Sequence, residues 1–94
     1  MRYDLYVWER LVRRLETDWA PCGRYREDLF HRDLKARDAL EQLIREAGEA
    51  YAGALREVVT RLDRIFTAYT DTKPVRDEEK GRWWWNRVPR RTPW

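Results

Sequence analysis

The sequence predicts an all-α protein: a short helix folded back antiparallel on a long one, followed by an extended C-terminal tail rich in Trp, Arg and Pro. Three observations point there. Leu5, Trp8, Val12, Leu15 and Trp19 recur at spacings of three and four, which is a heptad seam. From Arg24 to Tyr69 the apolar residues repeat every eleven positions, as in Leu29, Leu40, Tyr51 and Leu62, or Ile44, Leu55 and Phe66. Eleven residues make three turns at about 3.67 per turn, close to the helical value of about 3.6, so one face stays apolar throughout. Prolines fall only at 21, 74, 89 and 93, outside both helical patterns.

The first helix opens at Asp4, which can cap it, and stops near Asp18 because Pro21 and Gly23 follow. Glu9 and Arg13 stand four apart on its polar side. Residues 19–23 then form a tight turn, and so short a connection favours antiparallel neighbours.

The second helix is expected from about Arg24 to Asp71, with Glu27 and Asp28 in its early turns, where the helix dipole favours acids. Asp28–Arg32, Asp33–Arg37, Glu41–Arg45 and Glu57–Arg61 are spaced as i,i+4 pairs and read as a solvated face. Gly48 and Gly53 each disfavour a helix interior by about 1 kcal/mol relative to Ala. A stop at Gly48 would give the alternative, a three-helix bundle. No capping residue follows Gly48, and the ladder crosses it in phase, which argues for one helix near 70 Å long at about 1.5 Å per residue. The first helix is too short to cover such a face. Tyr51, Leu55, Val58, Leu62, Ile65, Phe66 and Tyr69 would be left bare, a surface for coiled-coil-like self-association.

Two units follow: a helical domain, 1–72, and a basic tail, 73–94. The formal charge of +3 is uneven, since the tail alone holds seven basic and three acidic residues. The tail is expected to lack regular structure apart from a turn around Gly81. Its distinctive run is Arg82-Trp83-Trp84-Trp85-Asn86-Arg87-Val88-Pro89-Arg90-Arg91-Thr92-Pro93-Trp94. Three successive tryptophans cannot all face one way in a helix or a strand. Trp and Arg are also the residues most enriched at binding hot spots. Arg82, Trp83, Trp84, Trp85, Arg87, Arg90, Arg91 and Trp94 are therefore the expected partner-binding residues, packed on their own bundle, on a sister protomer or on a larger protein. The composition is similar to that of Trp/Arg/Pro-rich host-defence peptides of the cathelicidin type, which implies a membrane surface. Arg with stacking Trp suits nucleic acid as well.

Arg26-Glu27-Asp28-Leu29-Phe30-His31 resembles the Arg-x4-His element of HEPN ribonucleases. The resemblance implies RNA cleavage at a dimer cleft, with Arg26 and the sole histidine, His31, as the working pair. Otherwise the sequence carries no phosphate loop, hydrolase elbow or metal-ligand spacing, and no cofactor is expected. With one cysteine, Cys22, no intrachain disulfide forms, and no apolar run reaches membrane-spanning length. The expected protein is thus cytoplasmic and non-catalytic. It self-associates through the helix face and docks a protein partner through the tail, with a small nucleic-acid-binding subunit as the alternative and the ribonuclease as a further one.

Overall fold

The computed structural model describes residues 3–19, 24–73 and 82–94. It contains α1 (Tyr3–Glu16), α2 (Glu27–Glu46), α3 (Glu49–Ala68), strand β1 (Thr70–Thr72), a 3-10 turn (Trp83–Asn86) and strand β2 (Arg87–Pro89). Of the two arrangements open to the sequence, the chain adopts the three-helix bundle. The single helix over 24–71 does not form: it is divided at Ala47 and Gly48, and the longest dimension of the molecule is 39 Å.

Ala47 (φ −76°, ψ 156°) and Gly48 (φ −60°, ψ 151°) are both extended. The Ala47 N–H donates to Leu43 O and closes α2, and the Ala52 N–H donates to Gly48 O and opens α3. Neither end has a side-chain cap of the kind that marks such a break in sequence, since Gly48 makes no capping bond. Tertiary packing supplies the reason for the break. A straight helix would expose Leu55, Val59, Leu62 and Phe66, whereas the folded-back one buries them with Trp8, Leu11, Val12 and Leu15 of α1 and Phe30, Leu34, Leu40 and Ile44 of α2. Each such side chain contributes about 1.5–3 kcal/mol on burial, far more than the helical turn lost at two residues.

The α1 seam packs as its spacing predicts, with Leu11 added to it. The helix ends in a Schellman motif. Asp18 N–H donates to Leu15 O and Trp19 N–H to Arg14 O, with Asp18 left-handed at φ 53°. Trp19 is left-handed too, at φ 69°, an uncommon conformation for so bulky a residue. Trp19 stacks on Tyr25 at a centroid distance of 4.9 Å. That contact holds Tyr25 in the core and keeps the chain extended through Arg26, so α2 starts at Glu27 rather than near Arg24.

Beyond α3 the tail is not simply extended. β1 and β2 pair antiparallel, Thr70 with Pro89, Asp71 with Val88 and Thr72 with Arg87. Lys73 N–H to Asn86 O and Arg90 N–H to Tyr69 O continue the ribbon at either end. The ribbon brings the Trp-rich run back onto the bundle. The turn expected around Gly81, Cys22 and most of the 19–23 connection lie outside the described residues. No helix among the described residues is long and apolar enough to cross a membrane.

Candidate interaction surface at the Trp/Arg segment

Successive residues of a 3-10 turn point about 120° apart, so the three indoles of Trp83–Trp85 spread in three directions. Trp84 is fully buried, Trp85 is half-buried, and Trp83 faces outward with 38% of its surface exposed while leaning on Phe66. Asp38 of α2 fastens the turn. Its Oδ1 accepts both the Trp84 and the Trp85 indole N–H, at 2.7 and 2.8 Å, and its Oδ2 lies 3.7 Å from the Arg82 guanidinium.

The face of Trp84 carries Arg37, whose guanidinium carbon is 4.3 Å from the ring centroid. Arg37 is itself buried. It donates through Nε and Nη2 to the two oxygens of Asp63 on α3 and through Nη1 to Glu41, and the Trp8 indole N–H donates to the same Asp63. One polar cluster therefore joins α1, α2, α3 and the tail. Burial raises the Asp63 carboxyl above its ordinary range, and the bonds from Arg37 and Trp8 offset this only in part. At Glu41 the same penalty is outweighed by hydrogen bonds and charge from Arg37 and Arg45, which lower it. Asp33, expected with Arg37 on a solvated face, is buried instead, accepting the Tyr25 hydroxyl at 2.5 Å with Arg14 3.6 Å away. Desolvation, together with the Asp33 hydrogen bond, pushes the Tyr25 phenol far up. Glu41–Arg45 and Glu57–Arg61 do form the surface pairs their spacing predicts, while Arg13 turns to Glu16.

The remaining tail residues divide by role. Arg87 donates to Thr70 Oγ1 and to the carbonyls of Thr67 and Thr70, and so completes the C-terminal end of α3. Arg90 pairs with Asp71 and Arg91 with Asp18, both at 3.0 Å and both exposed. The Trp19 indole N–H donates to Arg91 O, and Trp94 lies against Trp19, Tyr25 and Phe30 with 39% of its surface exposed. Between the end of α1 and this segment lies a cleft of about 340 Å³ lined by Leu15, Glu16, Asp18, Trp19, Tyr69, Arg90 and Arg91.

The predicted self-association face is not one surface. Leu55, Leu62 and Phe66 are core residues, Ile65 is half-buried, and Tyr51, Val58 and Tyr69 are exposed. The burial of the first three by α1 and α2 removes the bare face that a long helix would have left. Of the Arg-x4-His pair, the exposed Arg26 binds Asp28, and the half-buried His31 lies beside Trp85 and Phe30. Among the described residues no cluster of three or more His, Cys, Asp or Glu is placed to hold a metal ion. The cleft and the Asp38 anchor escaped sequence reasoning. Both join residues dozens of positions apart, and no local spacing marks them.

Comparison with protein-family profiles, with curated proteins and with solved structures finds no match to this chain.

Proposed function

We propose that this chain is a non-catalytic, cytoplasmic interaction protein whose Trp/Arg segment docks a partner protein at the cleft beside it. The cleft itself carries the reading. Its apolar lining is Leu15, Trp19 and Tyr69, and its charged lining is Arg90 and Arg91 together with Glu16 and Asp18, the latter paired with Arg91 and the former with Arg13. About 340 Å³ lies at the small end of ligand sites and suits a single aromatic or branched aliphatic anchor. Exposed ion pairs contribute about 0–1 kcal/mol, so Arg90 and Arg91 can exchange Asp71 and Asp18 for carboxylates of a partner at little cost. The partner segment that fits is an apolar side chain flanked by Asp or Glu.

Nucleic acid as partner of the same tail is less well supported. Arg82, Arg90 and Arg91 each face a carboxylate of the bundle, and Arg87 is occupied by the carbonyls at the end of α3. Those exposed pairs open to phosphates as readily as to carboxylates, so the ranking rests on the cleft, whose apolar lining of Leu15, Trp19 and Tyr69 suits an inserted side chain.

Panning a random peptide display library on the immobilised protein tests the proposal. Peptides with Trp, Phe or Leu beside Asp or Glu should be enriched, and Tyr69→Ala and the Arg90→Glu, Arg91→Glu double variant should lose them while keeping native circular dichroism. Selected peptides that bind both variants as well as wild type would place the contact elsewhere. A labelled single-stranded oligonucleotide that binds with a steep salt dependence, where no peptide is enriched, would favour the nucleic-acid reading.

A further inference from the structure

We infer that the Ala47–Gly48 break is a hinge through which two copies of this chain exchange α3 and the Trp/Arg segment. The inference rests on the hinge and not on the cleft, so it stands apart from the docking proposal.

Each property of the break fits a straightened form. Only two residues separate α2 from α3, and short connections between packed elements invite exchange between protomers. Ala47 and Gly48 have φ values of −76° and −60°, already near the helical value, so only their two ψ angles have to turn, from 156° and 151°, to continue the helix. A Cβ built at Gly48 meets nothing within 4 Å, and no side-chain cap holds α3 at its start. The two helices are also in phase across the break. At about 100° per residue, Leu34, Leu40 and Ile44 of α2 and Leu55, Leu62 and Phe66 of α3 fall within one arc of about 120°. All six are buried in the bundle. A continuous helix from Glu27 to Ala68 would therefore carry both buried faces on one side and run for about 63 Å.

Two such helices laid antiparallel place α2 of each copy beside α3 of the other. Contacts now made within one chain would re-form between chains: Arg37 and Trp8 with Asp63, Phe30 with Phe66, and Asp38 with Trp84 and Trp85. Almost nothing is lost except the bend, and each hinge gains helical backbone. The eleven-residue ladder, which the folded-back bundle does not need to keep in register across Gly48, is what the exchanged form requires.

Substitutions at the hinge separate this form from a side-by-side dimer. Gly48→Pro suits the bent form, because φ is near −60° and Ala47 is already extended as a residue before proline must be. Proline inside a helix blocks the straight form. Gly48→Ala does the opposite, favouring helix by about fivefold at each hinge. Gly53→Ala, in the second turn of α3 with open space for its methyl, gives a similar helical gain away from the hinge and serves as control. Each protein is refolded at high concentration and its dimer fraction read by light scattering.

The expected order is Gly48→Ala above wild type by at least severalfold, Gly53→Ala equal to wild type, and Gly48→Pro without dimer. In the Gly48→Ala dimer, spin labels at positions 32 and 64 of one chain, diluted with unlabelled protein, should separate to about 48 Å, the spacing along a continuous helix. Absence of dimer in Gly48→Ala, equal dimer fractions in all four proteins, or a short label distance within the dimer would each overturn the inference.

Discussion

Arg37 stands over the indole of Trp84, its guanidinium carbon 4.3 Å from the ring centroid, and grips both oxygens of Asp63 from the same position. The guanidinium thus joins the tail to α3 from a residue on α2. The pair is almost sealed from water, with 6% of the Arg37 side chain and 16% of the Asp63 side chain exposed.

Removing one partner of such a pair leaves an uncompensated charge. Arg37→Ala should therefore destabilise the protein by about 3 kcal/mol or more in urea unfolding. Arg37→Lys should recover little of it, because an ammonium neither forks onto a carboxylate nor stacks on an indole. The double variant Arg37→Met, Asp63→Leu should lie well above Arg37→Ala, since it leaves no buried charge. Full stability in Arg37→Lys would mean that charge alone matters at this position.

The seam of α1 was legible because Trp8, Val12 and Leu15 obey a local period and end on the same core. The spread of the three tryptophans was legible too, since backbone geometry forbids one shared direction. Arg37 and Asp33 were not. Four residues apart, they match a surface pair, and the groups that bury them, Asp63 and Tyr25, are fixed only by tertiary packing. The bend at Gly48 escaped for a related reason. It has no cap on either side, and Ile44, Leu55 and Phe66 stay in phase through it, so only the competition between burial and a straight helix decides it.

Asp38 holds the Trp-rich turn through one oxygen that accepts two indole hydrogen bonds. Bonds to a charged acceptor contribute about 1.5–3 kcal/mol each, so Asp38→Ala should release the turn. Trypsin should then cut at Arg82 and Arg87 many times faster than in wild type, and tryptophan emission should shift to the red. Asp38→Asn keeps an acceptor oxygen and should show most of the wild-type resistance. Equal resistance in Asp38→Ala would mean that the ribbon between β1 and β2 holds the segment unaided.

The two carboxylates around Arg37 respond to pH with opposite sign. Glu41 is lowered from 4.5, so its contribution is complete above that value and is lost as pH falls through the folded-state pKa. Asp63 is raised from 3.8, so the folded state binds its proton more tightly than the unfolded chain does. Its contribution is complete below 3.8 and is lost as pH rises through the folded-state pKa. Urea midpoints followed from about pH 3 to pH 7 should show the difference. Glu41→Gln should flatten the loss of stability in acid, and Asp63→Asn should steepen it. The reverse pattern would mean that Arg37 governs Asp63 more strongly than burial does.

Asp18 occupies the left-handed position of the Schellman motif at φ 53°, where most helices place glycine. A side chain there costs roughly 1–2 kcal/mol, somewhat less for Asp, and the Asp18–Arg91 pair is too exposed to compensate. Asp18→Gly should raise the stability by about 0.5–1 kcal/mol, seen as an upward shift of Tm, while Asp18→Ala, which keeps the Cβ and loses the polar group, should lower it. The same substitution frees Arg91 from its carboxylate. If Arg91 receives partner carboxylates at the cleft, Asp18→Gly should strengthen peptide binding as it stabilises the fold. A variant that gains stability but loses binding would show that the Asp18 carboxylate contacts the partner rather than competing with it for Arg91.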